Sequence, residues 1–460
     1  MEAAASEEPG ARPADEEPKK LNPRQAAQLA LEERLRAGET LSKSALKRLR
    51  KFDTHEERKE KKKEEKRKRR QARREDGAVD LVPSPIACAP PATGATGSLD
   101  AHAAAAWAFW RRIGSPRRVL APMVNQSELA FRLLARAHGA TLAYTPMLHS
   151  VHFAAEATYR RDNFEVHAAD RPLVVQFCGH EPATLLAAAR HAEAHVDAVE
   201  LNLGCPQAIA RRGRYGAFLL SEPDLVCEIV ETLARGLTVP TMVKMRALPS
   251  ADETVALALR IQAAGCSVLT LHGRTREQKC SCAADWGIIA AVKSALSIPV
   301  VANGGVELPA DVDACLAATG ADGVMSSEAA LENPAIFEGK PTTRAGQVAL
   351  AREYAALVRA HPPRLAAVAK GHFFKILFGA LQRDQARSRE LREALGAACS
   401  LDMVLDLAER ICADEECEMA IAREAEGEAA DTATYATWYR RHRGRGAAEQ
   451  DGGGCDAGAA

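Results

Sequence analysis

The chain has 460 residues, 47% hydrophobic and only 5% aromatic, and its 61 basic and 61 acidic side chains cancel to zero net charge. That length allows two or three domains and at least one sizeable core, filled mostly by Ala, Leu and Val. The sequence sets aside three classes of protein. No apolar run is long enough to span a bilayer, the Glu-rich N-terminus has neither a signal-peptide stretch nor an acid-poor presequence, and the 12 cysteines form no even framework, so they are expected to be reduced thiols.

The zero charge hides an uneven distribution along the chain. Residues 1–42 hold nine acidic and six basic side chains, whereas residues 43–75 hold 17 basic and seven acidic, a local net of +10, densest from Lys59 to Arg74. Residues 23–75 have helix-forming composition, with Asn22-Pro23 as a helix start, but 53–75 lack an apolar stripe that could pack on a core. Residues 76–100 are rich in Pro, Gly, Ala and Ser and read as a linker. Residues 1–100 are therefore expected to be a low-complexity extension with a basic arm, disordered or loosely helical, that seeks a polyanion or directs nuclear import.

From about Trp107 short apolar runs alternate with Ala-rich helical stretches. The runs are 119–123, 142–145, 173–177, 198–202, 241–245, 268–272, 300–303 and 323–326, and 128–138, 182–195 and 252–264 are among the helices between them. Continuous rather than alternating apolar runs are expected of parallel strands buried on both faces. Eight such βα units over 107–340 predict an α/β fold, a (β/α)8 TIM barrel. Beyond Pro341 the strand signals stop, and spacings such as Val348, Ala351, Ala355 and Val358 predict a smaller all-helical domain over 341–425. Within it Lys370, His372 and Lys375 read either as part of a basic face, with Phe373, Phe374 and Leu377 inward, or as a solvated helix face. Residues 426–460 read as a flexible tail, interrupted by an aromatic-basic cluster at 435–443.

Barrels carry function at the C-terminal ends of their strands. The first run ends at Pro122, Met123, Val124 and Asn125; the third carries Gln176; the fourth ends Asn202-Leu203-Gly204-Cys205-Pro206; the fifth carries Lys244 and Arg246; the sixth ends His272-Gly273-Arg274; the seventh ends Asn303-Gly304-Gly305. Singly, each has an ordinary reading: packing for Cys205, snorkelling for Lys244, a satisfied structural histidine for His272, a turn for Asn303-Gly304-Gly305. Together, in one register, they suit a bound polar ring system such as a flavin. Gln176 would meet its pyrimidine edge, Lys244 the negative charge of its reduced form, Pro122-Met123-Val124 would lie under it as a shelf, and Asn303-Gly304-Gly305 would offer N–H groups to a phosphate. A thiol, ordinarily titrating at about 8.5, is a competent proton donor near neutral pH. Cys280 and Cys282 have no second pair or His cluster to complete a zinc site, so no metal is expected.

The ordered set Ala121-Pro122-Met123, Gln176, Asn202-Leu203-Gly204-Cys205-Pro206, Lys244-Met245-Arg246, His272-Gly273-Arg274-Thr275-Arg276-Glu277-Gln278 and Asn303-Gly304-Gly305 resembles the tRNA-dihydrouridine synthase family. Stretches beginning at Tyr144, Arg171, Arg212 and Gly323 are similar to the eukaryotic branch that acts on positions 16 and 17 of the D-loop. The resemblance implies FMN as prosthetic group, NADPH (or NADH) as reductant and tRNA as substrate. It implies Cys205 as proton donor, Lys244, His272 and Gln176 beside the flavin, and Asn125, Asn202, Arg246, Arg274, Lys370 and Lys375 toward tRNA. Where bacterial relatives place a Gly-Arg pair at the flavin phosphate, this chain has Ser327 and Glu328, so backbone N–H groups must serve there. The loop 279–286 is shorter than the family pattern and lacks its glycines. A cytoplasmic or nuclear location without an obligate protein partner follows from the same reading. Two alternatives stand beside it: a free-pyrimidine oxidoreductase resembling dihydroorotate dehydrogenase, which needs no basic arm, and a non-catalytic tRNA-binding protein, which needs no Cys205, Lys244 and His272.

Overall fold

The computed structural model describes residues 99–278, 282–381 and 386–426. The basic arm at 43–75, the tail at 427–460 and Cys280 lie outside the described residues.

Strand β1 (Arg118–Leu120) follows helix α1 (Leu99–Arg112), which begins just inside the expected linker. Helix α2 (Leu129–Ala137) leads to two short strands, β2 (Ala143–Tyr144) and β3 (Leu148–His149), and helices α3 (Ser150–Ala155) and α4 (Ala157–Asn163) lead to β4 (Leu173–Cys178). The units then repeat: α5 (Pro182–Ala192), β5 (Ala198–Leu203), α6 (Ala208–Arg212), α7 (Pro223–Gly236), β6 (Thr241–Arg246), α8 (Ala251–Ala263), β7 (Val268–His272), α9 (Trp286–Ala295), β8 (Val300–Asn303), α10 (Pro309–Thr319) and β9 (Gly323–Ser326). Helix starts carry their own signals. Ser250 and Glu253 form a reciprocal capping box on α8, and Asp285 accepts the Ile288 N–H at the start of α9.

Every pairing is parallel, in the order β1-β9-β8-β7-β6-β5-β4-β2, and β3 extends the edge of β4. The sheet closes where Leu120 N–H donates to Leu142 O at 2.9 Å beside the Val119–Leu142 bridge. Two of the expected strands differ. The 119–123 run pairs as a strand only to Leu120, with Pro122 next but one, and the 142–145 run is cut at Pro146 and resumes as β3. Proline has no N–H to give a ladder, so both limits follow from the residue itself.

Side chains alternate across a strand. One set, Val119, Leu142, Tyr144, Val174, Ala198, Met242, Val268, Val301 and Met325, fills the barrel interior, and Phe109 and Trp110 from α1 pack against it. The opposite set packs on the surrounding helices, in a cluster that runs without a break into residues 344–425. Those residues fold as α12 (Arg344–Ala360), α13 (Ala366–Ile376), α14 (Phe378–Leu381), α15 (Ala386–Ala397), α16 (Leu401–Cys412) and α17 (Glu415–Ala425), after a short α11 (Glu328–Glu332). One buried polar knot joins the two regions. Tyr354 Oη on α12 donates to Glu128 Oε1 at 2.6 Å, and His372 Nε2 on α13 lies 3.0 Å from Glu128 Oε2. The His372 ring stacks on Phe131 of α2, with centroids 4.2 Å apart.

Candidate active site

Parallel register aligns the polar residues in rows. Gln176 lies opposite Glu200, Asn202 opposite Lys244, Lys244 opposite Thr270, His272 opposite both Arg246 and Asn303. Residues two apart share a face, so on their own strands Glu200 sits one step below Asn202 and Thr270 one step below His272, under the C-terminal rim.

The rim is tightly bonded. Lys244 Nζ donates to Asn303 Oδ1 at 2.7 Å, and Asn303 Nδ2 donates to Met325 O at 2.9 Å. Gln176 Nε2 donates to Glu200 Oε2 at 2.6 Å, and Asn202 Nδ2 donates to Gln176 Oε1 at 2.9 Å. Asn202 Oδ1 accepts the N–H groups of Gly204 at 3.1 Å and Cys205 at 3.0 Å. Arg246 Nε donates to Gly204 O at 2.8 Å and its Nη1 to Thr275 O at 2.9 Å. Cys205 is half-buried; its carbonyl accepts Ala217 N–H at 3.0 Å. Gly216, at φ +68°, packs so closely that an added Cβ would stand 2.7 Å from the Cys205 carbonyl oxygen. Only glycine meets both the left-handed backbone and that approach.

The electrostatics follow from burial and from neighbouring charges. Burial pushes the Lys244 ammonium down from its usual range; Glu200 opposes this and Arg246 adds to it. Burial pushes the Glu200 carboxyl up, against the hydrogen bond from Gln176 and the charge of Lys244. Burial, then Lys244, Arg246 and Arg274, hold His272 well below the ordinary imidazole value, so it is neutral at physiological pH. Arg274 Nη1 lies 3.4 Å from His272 Nε2. Arginine can only donate, so Nε2 accepts and Nδ1 carries the proton.

The remaining expected residues fall as follows. Pro122 and Met123 are half-buried and Val124 and Asn125 exposed, in a turn closed by Met123 N–H donating to Ser127 Oγ at 3.0 Å, with Asn125 at φ +58°. Gly304, at φ +98°, leaves room for the His272 ring, which an added Cβ would approach to 2.6 Å; Gly305 follows at φ +77°. Arg274 Nε donates to Cys282 O at 2.7 Å. Ser327 and Glu328 are half-buried at the start of α11. The Gln176 amide, expected to meet a ring edge, already spends one N–H on Glu200 and one lone pair on Asn202, leaving one of each.

The basic face expected around 370–375 does not form as a set. His372 is fully buried against Glu128 and Phe131 because α13 turns that side toward the barrel. Lys370 Nζ donates to Gly396 O and Ala398 O, each at 2.9 Å, where α15 ends. Lys375 is partly buried, and burial lowers its pKa. Two features escaped sequence reasoning. Glu200 was hidden inside an apolar run, although a carboxylate among strand residues buried on both faces is itself a signal. The Glu128–Tyr354–His372 knot had no local signal.

A closed parallel barrel with its polar groups gathered at the strand C-termini is the architecture of the (β/α)8-barrel enzymes. The chain belongs to the dihydrouridine synthase (Dus) family, whose model matches residues 119–418, the barrel and most of the following helices. It is 46% identical over 324 residues to a rat (Rattus norvegicus) protein named "tRNA-dihydrouridine(16/17) synthase [NAD(P)(+)]-like", a match covering 69% of this chain and 72% of the relative. It is 44% identical over 280 residues to the "tRNA-dihydrouridine(16/17) synthase [NAD(P)(+)]" of Saccharomyces cerevisiae, covering 58% of this chain and 66% of that one. A human "tRNA-dihydrouridine(20a/20b) synthase [NAD(P)+]-like" protein is less similar, 35% identical over 229 residues that cover 49% of this chain and 72% of the relative.

Proposed function

We propose that this chain reduces the C5=C6 bond of uridine to 5,6-dihydrouridine in the D-loop of tRNA, at positions 16 and 17, with FMN as prosthetic group and NADPH or NADH as reductant. The observation that carries the reading is one rim holding a half-buried thiol, a half-buried lysine and a neutral histidine on three adjacent strand ends, Cys205, Lys244 and His272. The residues fit the cofactor. Burial, with Lys244, Arg246 and Arg274, keeps His272 neutral, and these three cations suit a phosphate and a ring that gains negative charge on reduction. The buried Ser326 Oγ, at the end of β9, has no partner among the described residues. Gly304 and Gly305 would hold the phosphate end with Asn303, Ser327 and the start of α11 at Glu328, while Pro122, Met123 and Val124 would lie against the ring and Gln176 would use its remaining N–H and lone pair. Bound there, FMN would supply the hydride for C6.

The chain's own residues do the rest. Cys205 would donate a proton to C5 of the base and recover it from solvent. Lys244, held by Asn303, neutralises charge beside the ring. Neutral His272 accepts from Arg274 at Nε2 and keeps its Nδ1–H as a donor, without adding charge. Arg246 fixes the Cys205 loop through Gly204. Asn125, which is exposed, and Arg274, which is buried beside His272, would contact the substrate. The helical region 341–425, with Lys370 and Lys375, would hold the tRNA body, and the arm at 43–75 would add sequence-independent affinity. No described helix is long and apolar enough to cross a membrane, and the described residues hold no cluster that could bind a metal. A cytoplasmic or nuclear site of action agrees with the proposed substrate.

Nucleotide-resolution mapping of dihydrouridine in tRNA from cells lacking this protein tests the reading. Loss at positions 16 and 17 is expected, together with a yellow flavin spectrum of the purified protein. Unchanged dihydrouridine at both positions would overturn it.

A further inference from the structure

Glu200 is fully buried in the barrel interior and faces Tyr144 on β2, Gln176 on β4, Lys244 on β6 and Thr270 on β7. A carboxylate buried in an apolar barrel costs several kcal/mol unless bonded and balanced. Balancing Lys244 accounts for a charge in this region, but not for its short bond to Gln176 rather than to the lysine. The Glu200–Lys244 pair makes no contact within salt-bridge distance, whereas Gln176 Nε2 stands 2.6 Å away.

We propose that Glu200 is a positioning residue for Cys205, acting through the hydrogen-bonded relay Glu200–Gln176–Asn202–Cys205. The inference rests on the reading of Cys205 as proton donor. Glu200 Oε2 accepts from the Nε2 end of Gln176 at 2.6 Å, which fixes the orientation of that amide. Gln176 Oε1 then points to Asn202 and accepts its Nδ2 at 2.9 Å. That turns Asn202 Oδ1 toward the backbone, where it accepts Gly204 N–H at 3.1 Å and Cys205 N–H at 3.0 Å. Each amide alone has two orientations that differ by a half-turn. The carboxylate at the buried end chooses one for both, and the choice reaches the backbone of the thiol residue, three residues after Asn202 in the loop beyond β5. All three relay side chains are buried, Gln176 to 1%, Glu200 to 0% and Asn202 to 8% exposure, so water does not compete for their groups. Two other bonds hold the same loop, from Arg246 Nε to Gly204 O at 2.8 Å and from Ala217 N–H to Cys205 O at 3.0 Å. These leave the loop's N–H side to the relay.

The test uses the full-length FMN-containing protein and three variants: Glu200→Gln, Gln176→Met, and the exchange Glu200→Gln with Gln176→Glu. In the exchange the carboxylate sits at position 176 and accepts from both amides, so Asn202 keeps its orientation. Iodoacetamide labelling of Cys205 is followed by mass spectrometry, with half-buried Cys227 as internal control, alongside single-turnover dihydrouridine formation. Glu200→Gln and Gln176→Met should each loosen the loop. Labelling of Cys205 should rise and turnover fall, each by about tenfold, a change of about 1.4 kcal/mol as expected for one buried hydrogen bond. Labelling of Cys227 should not change, and the exchange should restore Cys205 labelling to within about threefold, or about 0.7 kcal/mol; its turnover is not a readout, because residue 176 would also meet the flavin. The relay is overturned if Cys205 labelling in the two single variants matches wild type. It is also overturned if the exchange melts at the wild-type temperature yet its Cys205 labels as fast as in Glu200→Gln. Labelling needs no tRNA, so an enzyme that makes no dihydrouridine would sink the proposed function while the relay is still decided by the thiol.

Discussion

Tyr354→Phe removes one oxygen from the buried knot between barrel and helices and nothing else. The ring keeps its edge contacts with Phe131 and Phe373, at centroid distances of 6.2 and 5.3 Å. Glu128 keeps His372, so no carboxylate is orphaned. The cost is therefore that of one hydrogen bond to a charged acceptor, about 1.5–3 kcal/mol. At about 2 °C per kcal/mol for a chain of this size, the melting temperature should fall by about 3–6 °C. The pH dependence has a definite sign. Burial pushes the Glu128 carboxyl up, but the His372 charge and the bonds from His372 and Tyr354 outweigh it, leaving the pKa below the ordinary 4.5. A depressed carboxylate contributes stability that is present above its unfolded value and lost as pH falls through the folded one. Removing one donor moves the folded value back toward 4.5. The gap between wild type and variant should thus be full at neutral pH and shrink below about pH 4.5. Urea unfolding followed by circular dichroism at several pH values measures it. Equal midpoints at neutral pH, or a gap that widens in acid, would refute the assignment.

Other outcomes follow from the site and its frame. Cys205→Ala should retain FMN and its reduction by NAD(P)H but lose most dihydrouridine formation; near-normal turnover on tRNA would remove Cys205 from its role. Lys244→Met should weaken FMN binding by roughly 10–100-fold, the worth of a charge-assisted hydrogen bond of about 1.5–3 kcal/mol, and lower the flavin midpoint potential. An unchanged potential would place the ammonium elsewhere. Arg132→Met should destabilise by about 3–5 kcal/mol, because Arg132 pairs at 2.7 Å with Asp170 and both side chains are almost wholly inaccessible, so the substitution strips a buried carboxylate of one of its two arginines. A loss below about 1 kcal/mol in chemical denaturation would contradict that. Deleting residues 1–95 should leave the modified nucleotide unchanged but weaken tRNA binding with a shallower salt slope, measured by filter binding; equal affinity and slope would favour a targeting role for the arm.

Much of the barrel was legible because its signals are local. The runs at 268–272, 300–303 and 323–326 match β7, β8 and β9 residue for residue, since a parallel strand buried on both faces must be apolar throughout and must stop where polar residues begin. For the same reason Asn202, Lys244, His272 and Asn303 could be placed at one rim before any pairing was known. The early strands were less legible, because Pro122 and Pro146 end pairing inside stretches whose hydrophobicity continues. What no local pattern contains is which polar groups meet. Gln176 finds Glu200 24 positions away and Glu128 finds His372 244 positions away. The first contact depends on strand register and the second on how α13 packs against α2. Composition alone made Lys370, His372 and Lys375 equivalent cations. Packing buried the histidine in the barrel knot and spent one lysine on the end of α15, because a side chain's fate is set by the surface its helix happens to cover.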